Sequence, residues 1–223
     1  MKKREFDSTA TTQKAAGRGG RPSREEALRR EKLMLEVAAV LFMERGFEET
    51  SIDAIAERAG ISKPTLYSRY QDKKELFAAV LKGRIERWLV PLSATAEAIE
   101  TERDIEVILH DLSRRMLAVM LAPEAVALRR ILVAQSLRFP DLAKLAHEEG
   151  WLRSVRAIAK LLHKFSARGE LVIANPELSA ELFLCLTLGG AGRSLDAGLA
   201  VEPDSLELRR QAAVELFLNG VRA

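Results

Sequence analysis

The 223-residue sequence predicts an all-α fold: an N-terminal three-helix helix-turn-helix domain followed by a larger helical domain. Three observations carry this reading. Leu and Ala dominate a chain with only 13 Gly and 7 Pro, a composition that favours helices nearly throughout. Apolar residues recur at helical spacing, as at Ile52, Ile55, Ala56 and Ala59, which fall at i, i+3, i+4 and i+7. Residues that start helices (Ser, Thr, Asp, Pro) and residues that stop them (Gly) punctuate these stripes where each is tolerated.

Residues 1–22 are polar and lack apolar periodicity, as in a segment disordered in isolation. They hold six Lys or Arg against two acids, about +4, so the rest of a chain of net charge +3 carries about −1. The chain is therefore not uniformly basic. Lys14, Arg18 and Arg21 are candidates to touch phosphates or enter a minor groove; a solubilising tail is the plainer alternative. Ser23 is expected to open the first helix, with Glu26 at the reach-back position. Leu35, Ala38, Ala39 and Phe42 form its stripe, with Met34 and Leu41 beside it. Gly46 ends the helix and Phe47 packs back.

The stretch Thr50–Tyr70, TSIDAIAERAGISKPTLYSRY, reads as two short helices joined by a tight turn. Thr50 is expected to cap the first, with Asp53 reaching back. Gly60 supplies the left-handed stop, Ser62 the next cap, and Pro64 lies in a first turn where a missing amide costs little. Leu66 and Tyr70 pack back on the first helix. Lys63, Thr65, Tyr67, Ser68 and Arg69 then lie on the outer side of the second helix. Lys and Arg reach phosphates or guanine, Thr a base or thymine methyl, and Tyr a phosphate. Two helices over a glycine turn make the helix-turn-helix that sets its second helix in a DNA major groove; a plain hairpin with a solvated face is the alternative. Asp72 and Glu75 cap a further helix through Leu76, Phe77, Val80, Leu81, Ile85 and Trp88, which Pro91 is expected to end or kink.

From Met34 to Leu81 the chain resembles the TetR family of bacterial regulators. The resemblance rests on MLEVAAVLFMERGF, then TSIDAIAERAGISKPTLYSRYQDKKELF. Thr65-Leu66-Tyr67, an aromatic at Tyr70 and a lysine at Lys73 follow the family order. Pro64 replaces the more usual Gly or Ala, and Tyr70 the usual Phe. The resemblance implies a DNA-contacting set of Thr50, Ser51, Ser62, Lys63, Pro64, Thr65, Tyr67, Ser68, Arg69, Tyr70 and Lys73. It divides the chain into a basic arm (1–22), a DNA-binding domain (23–72) and a regulatory and dimerisation domain (73–223).

Further helices are expected over 92–100, 104–121, 123–138, 141–168, 176–199 and 204–221, with Pro123, Pro140, Pro176 and Pro203 near helix starts. SLRFPDLAKLAHEEGW and KFSARGELVIANPELSAELFLCL are similar to the C-terminal part of the AefR-like subgroup. That resemblance implies a homodimer in which the last two helices pair with their symmetry mates. Leu182, Phe183, Leu186, Gly189, Gly190, Leu208, Ala212 and Leu216 are the interface candidates, unless these stripes bury within one chain. It also implies a pocket for a small effector, with Met116, Met120, Gln135, Arg138, Phe139 and Trp151 as candidate lining. The low polar content of these helices favours an apolar or aromatic effector.

Catalytic and metal chemistry is not in view. His110, His147 and His163 are scattered, no nucleophile elbow, phosphate loop or dinucleotide fingerprint occurs, and no cofactor is expected. The His147-Glu148-Glu149 run reads as a solvated face, and Cys185 as a buried structural thiol. No signal peptide or membrane-spanning apolar run is visible, so the expected location is the cytoplasm. The expectation is a transcriptional repressor that binds a palindromic double-stranded operator as a dimer and is released by a ligand. The alternative is the same fold controlled by a protein partner without a small effector.

Overall fold

The computed structural model describes residues 24–97 and 104–222, the side chains of residues 91–97 excepted. The basic arm with Lys14, Arg18 and Arg21, and the Ser23 cap, lie outside the described residues. Helix α1 (Arg24–Glu49) buries Met34, Ala38, Ala39, Leu41 and Phe42, while Leu35 sits at the half-buried edge of the stripe. It breaks at Gly46, whose φ of 76° suits a residue without Cβ. One further turn carries Phe47 back over Phe42, with near-parallel rings 5.9 Å apart. Phe77 meets both rings edge-on at 5.1 and 5.6 Å.

The structure corrects the expected cap at Thr50. Its hydroxyl donates to the carbonyls of Gly46 at 2.7 Å and Leu41 at 3.1 Å, acceptors left open where α1 breaks. The capping role falls to Ser51, whose Oγ accepts from the Ala54 amide at 3.1 Å. Asp53 does not reach back and pairs instead with Lys63. Helix α2 (Ile52–Ala59) buries Ile52, Ile55 and Ala56 and stops at Gly60, φ 65°. Helix α3 (Lys63–Tyr67) begins at Ser62, whose Oγ accepts from the Thr65 amide, and buries Leu66 completely. Asp72 accepts from the Glu75 amide, and Glu75 from the Gln71 amide, both at 2.7 Å. Helix α4 (Lys73–Glu97) starts there. It runs on through Pro91 rather than ending there: a helix already nucleated over several turns tolerates the lost bond.

Helices α5 (Ile105–Leu121), α6 (Pro123–Gln135) and α7 (Pro140–Ala146) follow, then a π-helical turn, His147–Leu152. Helices α8 (Arg153–Ala167), α9 (Pro176–Asp196) and α10 (Pro203–Val221) complete the chain. Four prolines open α6, α7, α9 and α10, where their missing amides have no helical partner anyway. The expected 141–168 helix is thus interrupted by the wider π turn, and the expected helix at 92–100 is the tail of α4 as far as Glu97.

Two cores result. One lies among α5, α8, α9 and α10, around Leu109, Ile158, Leu162, Phe165, Phe183 and Val214. The other lies under the α2–α3 hairpin, and α6 and α7 close it with Leu128 and Leu142, which are fully buried there. Buried Arg84 ties this junction together, its guanidinium reaching Glu36 of α1 at 2.8 Å and Glu124 of α6 at 2.5 Å. Lys74–Asp141 and Arg138–Glu48 pairs add surface links across the same seam.

Candidate nucleic-acid interface and effector cavity

The hairpin presents one clean face. Leu66 fixes α3 against α2, and this leaves Ser51, Ser62, Lys63, Pro64, Thr65, Tyr67, Ser68 and Arg69 exposed. Tyr67 is 49% exposed, a large ring without a protein pocket. The Thr65 and Ser62 hydroxyls lie 2.7 Å apart, and the Ser68 hydroxyl donates to the Thr65 carbonyl at 2.9 Å. Hydrogen bonding to Asp53, aided by its charge, raises the Lys63 ammonium above its ordinary range. The pair is open to water, which screens it, so it holds Lys63 only weakly.

Two of the expected contact residues leave this surface. Thr50 is 1% exposed, its hydroxyl spent on α1. Tyr70 is 7% exposed, and its hydroxyl donates to Glu31 at 3.2 Å, the partner that its replacement of phenylalanine requires. Burial, then the Glu31 charge, pushes its phenol up to about 12, which keeps the donor protonated. Lys73 is half-buried. Its ammonium donates to the Glu48 carbonyl at 2.9 Å and sits 4.6 Å over the Phe47 ring.

A second feature is a cavity of about 630 Å³ bounded by α4, α5, α6, the π turn, α8 and α9. Of the candidate lining residues, Met116, Met120 and Trp151 border this cavity. Gln135, Arg138 and Phe139 do not. Arg138 is drawn to Glu48, and Phe139 packs on Phe47 at 5.6 Å, so both belong to the seam with α1. The lining that sequence reading missed includes Trp88, Leu128, Leu132, Arg115, Arg129 and Asp196. Arg129 and Asp196 form a two-pronged pair at 2.6 and 2.7 Å across 67 residues of sequence, which no local pattern announces. Trp88 carried a signal, as the last apolar residue of the α4 stripe, but read as ordinary core.

On α9 and α10, Leu182, Leu186, Leu208 and Leu216 are exposed by 52%, 42%, 69% and 63%, with Ala212 exposed and Gly189 and Gly190 half-buried between them. Phe183 corrects the expected interface: it is fully buried in its own chain, its ring 5.2 Å from Phe217. Cys185 also departs from expectation. Its thiol is exposed and borders the cavity, because it falls one residue past the buried face of α9. Among the described residues no helix is long and apolar enough to cross a membrane, and no cluster of metal-ligating side chains occurs.

Residues 34–80 match the pattern of the tetR family of bacterial regulatory proteins, and residues 108–220 that of the AefR-like transcriptional repressor C-terminal domain. The HTH-type transcriptional activator FasR of Mycolicibacterium smegmatis is 38% identical over 87 residues, a match spanning 39% of this chain and only 37% of FasR. A TetR-family regulator from Mesorhizobium loti superimposes with a TM-score of 0.83 at 26% identity, covering 91% of this chain and 100% of that one. The Flavonoid-responsive Regulator FrrA superimposes at 0.70 with 31% identity, covering 87% of this chain and 97% of that one. One pattern fits the hairpin and its bracing helices, the other the helices around the cavity, and the chain belongs to the TetR family of DNA-binding transcriptional regulators, a non-enzymatic family.

Proposed function

We propose that the chain is a cytoplasmic, homodimeric repressor released from a palindromic operator by a small apolar or aromatic effector. The observation that carries this is a shared wall. Leu128, Leu132 and Trp88 line the cavity and also pack into the core beneath the α2–α3 hairpin. A molecule that moves α4 or α6 by filling the cavity therefore disturbs the seat of the DNA-reading helix directly. Release requires that the effector bind the non-binding state more tightly than the DNA-bound one.

The remaining features support the same reading. Ser51, Ser62, Lys63, Pro64, Thr65, Tyr67, Ser68 and Arg69 form the reading face, with Lys73 beside it. The exposed stripe of Leu182, Leu186, Leu208, Ala212 and Leu216 gives a second copy an apolar surface. A two-fold dimer sets two α3 helices in successive major grooves, about 34–36 Å apart or a multiple of that. The mainly apolar wall suits an aromatic guest, and the flavonoid response in FrrA's name belongs to a relative of the same class. Control by a protein partner alone would be favoured by a filled middle domain; the cavity speaks for a small molecule.

The test is release of a fluorescent operator fragment, itself selected from genomic DNA, during titration with a library of aromatic and of small charged compounds. Aromatic hits that free the DNA and fail on random-sequence complexes are expected. A library in which only small charged metabolites act would overturn the effector assignment.

A further inference from the structure

We infer that the cavity takes an amphipathic monoanion, an aromatic body whose single acidic group is held by Arg115 of α5 and Arg193 of α9. This rests on reading the cavity as the effector site and adds the charge of the guest.

The cavity wall is apolar over most of its extent, with Trp88, Trp151, Met116 and Met120 as its large groups. Its charged members are three arginines, Arg115, Arg129 and Arg193, and one carboxylate, Asp196. Asp196 is already committed. Both of its oxygens accept from Arg129, through Nε at 2.6 Å and Nη2 at 2.7 Å. Hydrogen bonding to Arg129 holds its carboxyl below the usual range, so the carboxylate stays ionised beside that guanidinium. Arg129 and Asp196 thus cancel.

Arg115 and Arg193 are left over. Neither side chain makes a hydrogen bond or ion pair with another described residue, and both are exposed where they border the cavity. They extend from different helices, so two planar donor forks flank one apolar space. A cationic guest meets two uncompensated positive charges. A neutral guest gains at most hydrogen bonds to its own acceptors, without the charge pairing. A carboxylate or sulfonate gains charge-assisted hydrogen bonds while its rings take the Trp and Met wall.

Two dyes separate the possibilities: 8-anilinonaphthalene-1-sulfonate, an aromatic monoanion, and N-phenyl-1-naphthylamine, the same ring system without the sulfonate. The chain has two tryptophans, and both line the cavity, so dye emission excited through tryptophan reports a dye inside it. Both dyes are expected to give sensitised emission with the full chain. In Arg115→Gln/Arg193→Gln the sulfonate dye should bind about tenfold more weakly and the neutral dye within about twofold of the parent, from two partly exposed charge contacts. The single variants should each cost the sulfonate dye about threefold and serve if the double variant does not fold. An unchanged ratio between the two dyes overturns the anion assignment and leaves the effector cavity standing. Absence of sensitised emission from both dyes overturns the cavity reading and the anion with it.

Discussion

The core beneath the α2–α3 hairpin is filled, and the space between α4, α5, α6, α8 and α9 is not. In the first, Phe42, Phe47 and Phe77 are in mutual ring contact, with Phe139 of the α6–α7 corner against Phe47. In the second, a cavity of about 630 Å³ lies open beside Trp88 and Met116. The region that holds the five-residue helix α3 is close-packed, and the region proposed to admit an effector is not. Helices α4 and α6 border both regions, and the proposed release by an effector would act through them.

Stability measurements sharpen this contrast most strongly. Phe77→Ala removes a fully buried ring and is expected to cost about 3–5 kcal/mol in denaturant unfolding. Met116→Ala, half-buried at the cavity wall, is expected to cost about 1 kcal/mol or less, since little packing is lost. Equal costs would mean that the two regions are packed alike.

The two tyrosines divide reading from folding. Tyr67→Ala is expected to weaken operator binding by about 1–3 kcal/mol relative to random DNA, leaving the melting temperature unchanged. Tyr70→Phe is expected to cost about 0.5–1.5 kcal/mol of stability through its lost bond to Glu31 and to leave operator preference intact. Anisotropy and thermal melting on both variants check the pair.

A smaller effect belongs to α10. Hydrogen bonds from Arg210, then Gln211, hold the Glu207 carboxyl down at about 2. A depressed carboxyl contributes stability above its unfolded value, 4.5, and loses it as pH falls from there toward about 2. Glu207 is 47% exposed, so the effect is small. Melts of Glu207→Gln should show a shallower decline over that window than the parent. Smallest is Lys73→Ala, which should weaken operator and random DNA alike and flatten the salt slope by about one unit.

Legibility followed sequence distance. Gly46, Gly60, Ser62, and the Asp72–Glu75 pair act on neighbours within a turn or two, and each appears where the residues placed it. Thr50 and Ser51 both carry a hydroxyl able to cap α2, and only the broken end of α1 decides which one turns inward. The cavity is legible only in part. Met116, Met120 and Trp151 stand out as large groups on middle helices, whereas the Arg129–Asp196 pair depends on α6 meeting α9. Arg138 and Phe139 lie away from the cavity because the seam that claims them joins segments about 90 residues apart. Phe183 and Leu182 are adjacent on one apolar helix, and only packing shows which turns inward.

The most direct test of the central claim is fluorescence anisotropy on a genome-selected fragment and on its scrambled counterpart, at two salt concentrations, for the parent chain and Tyr67→Ala. The account predicts a preference of roughly a thousandfold or more at the higher salt that Tyr67→Ala sharply reduces. Equal affinity of the parent for both DNAs, or a preference untouched by Tyr67→Ala, would contradict the assignment of α3 as the reading helix.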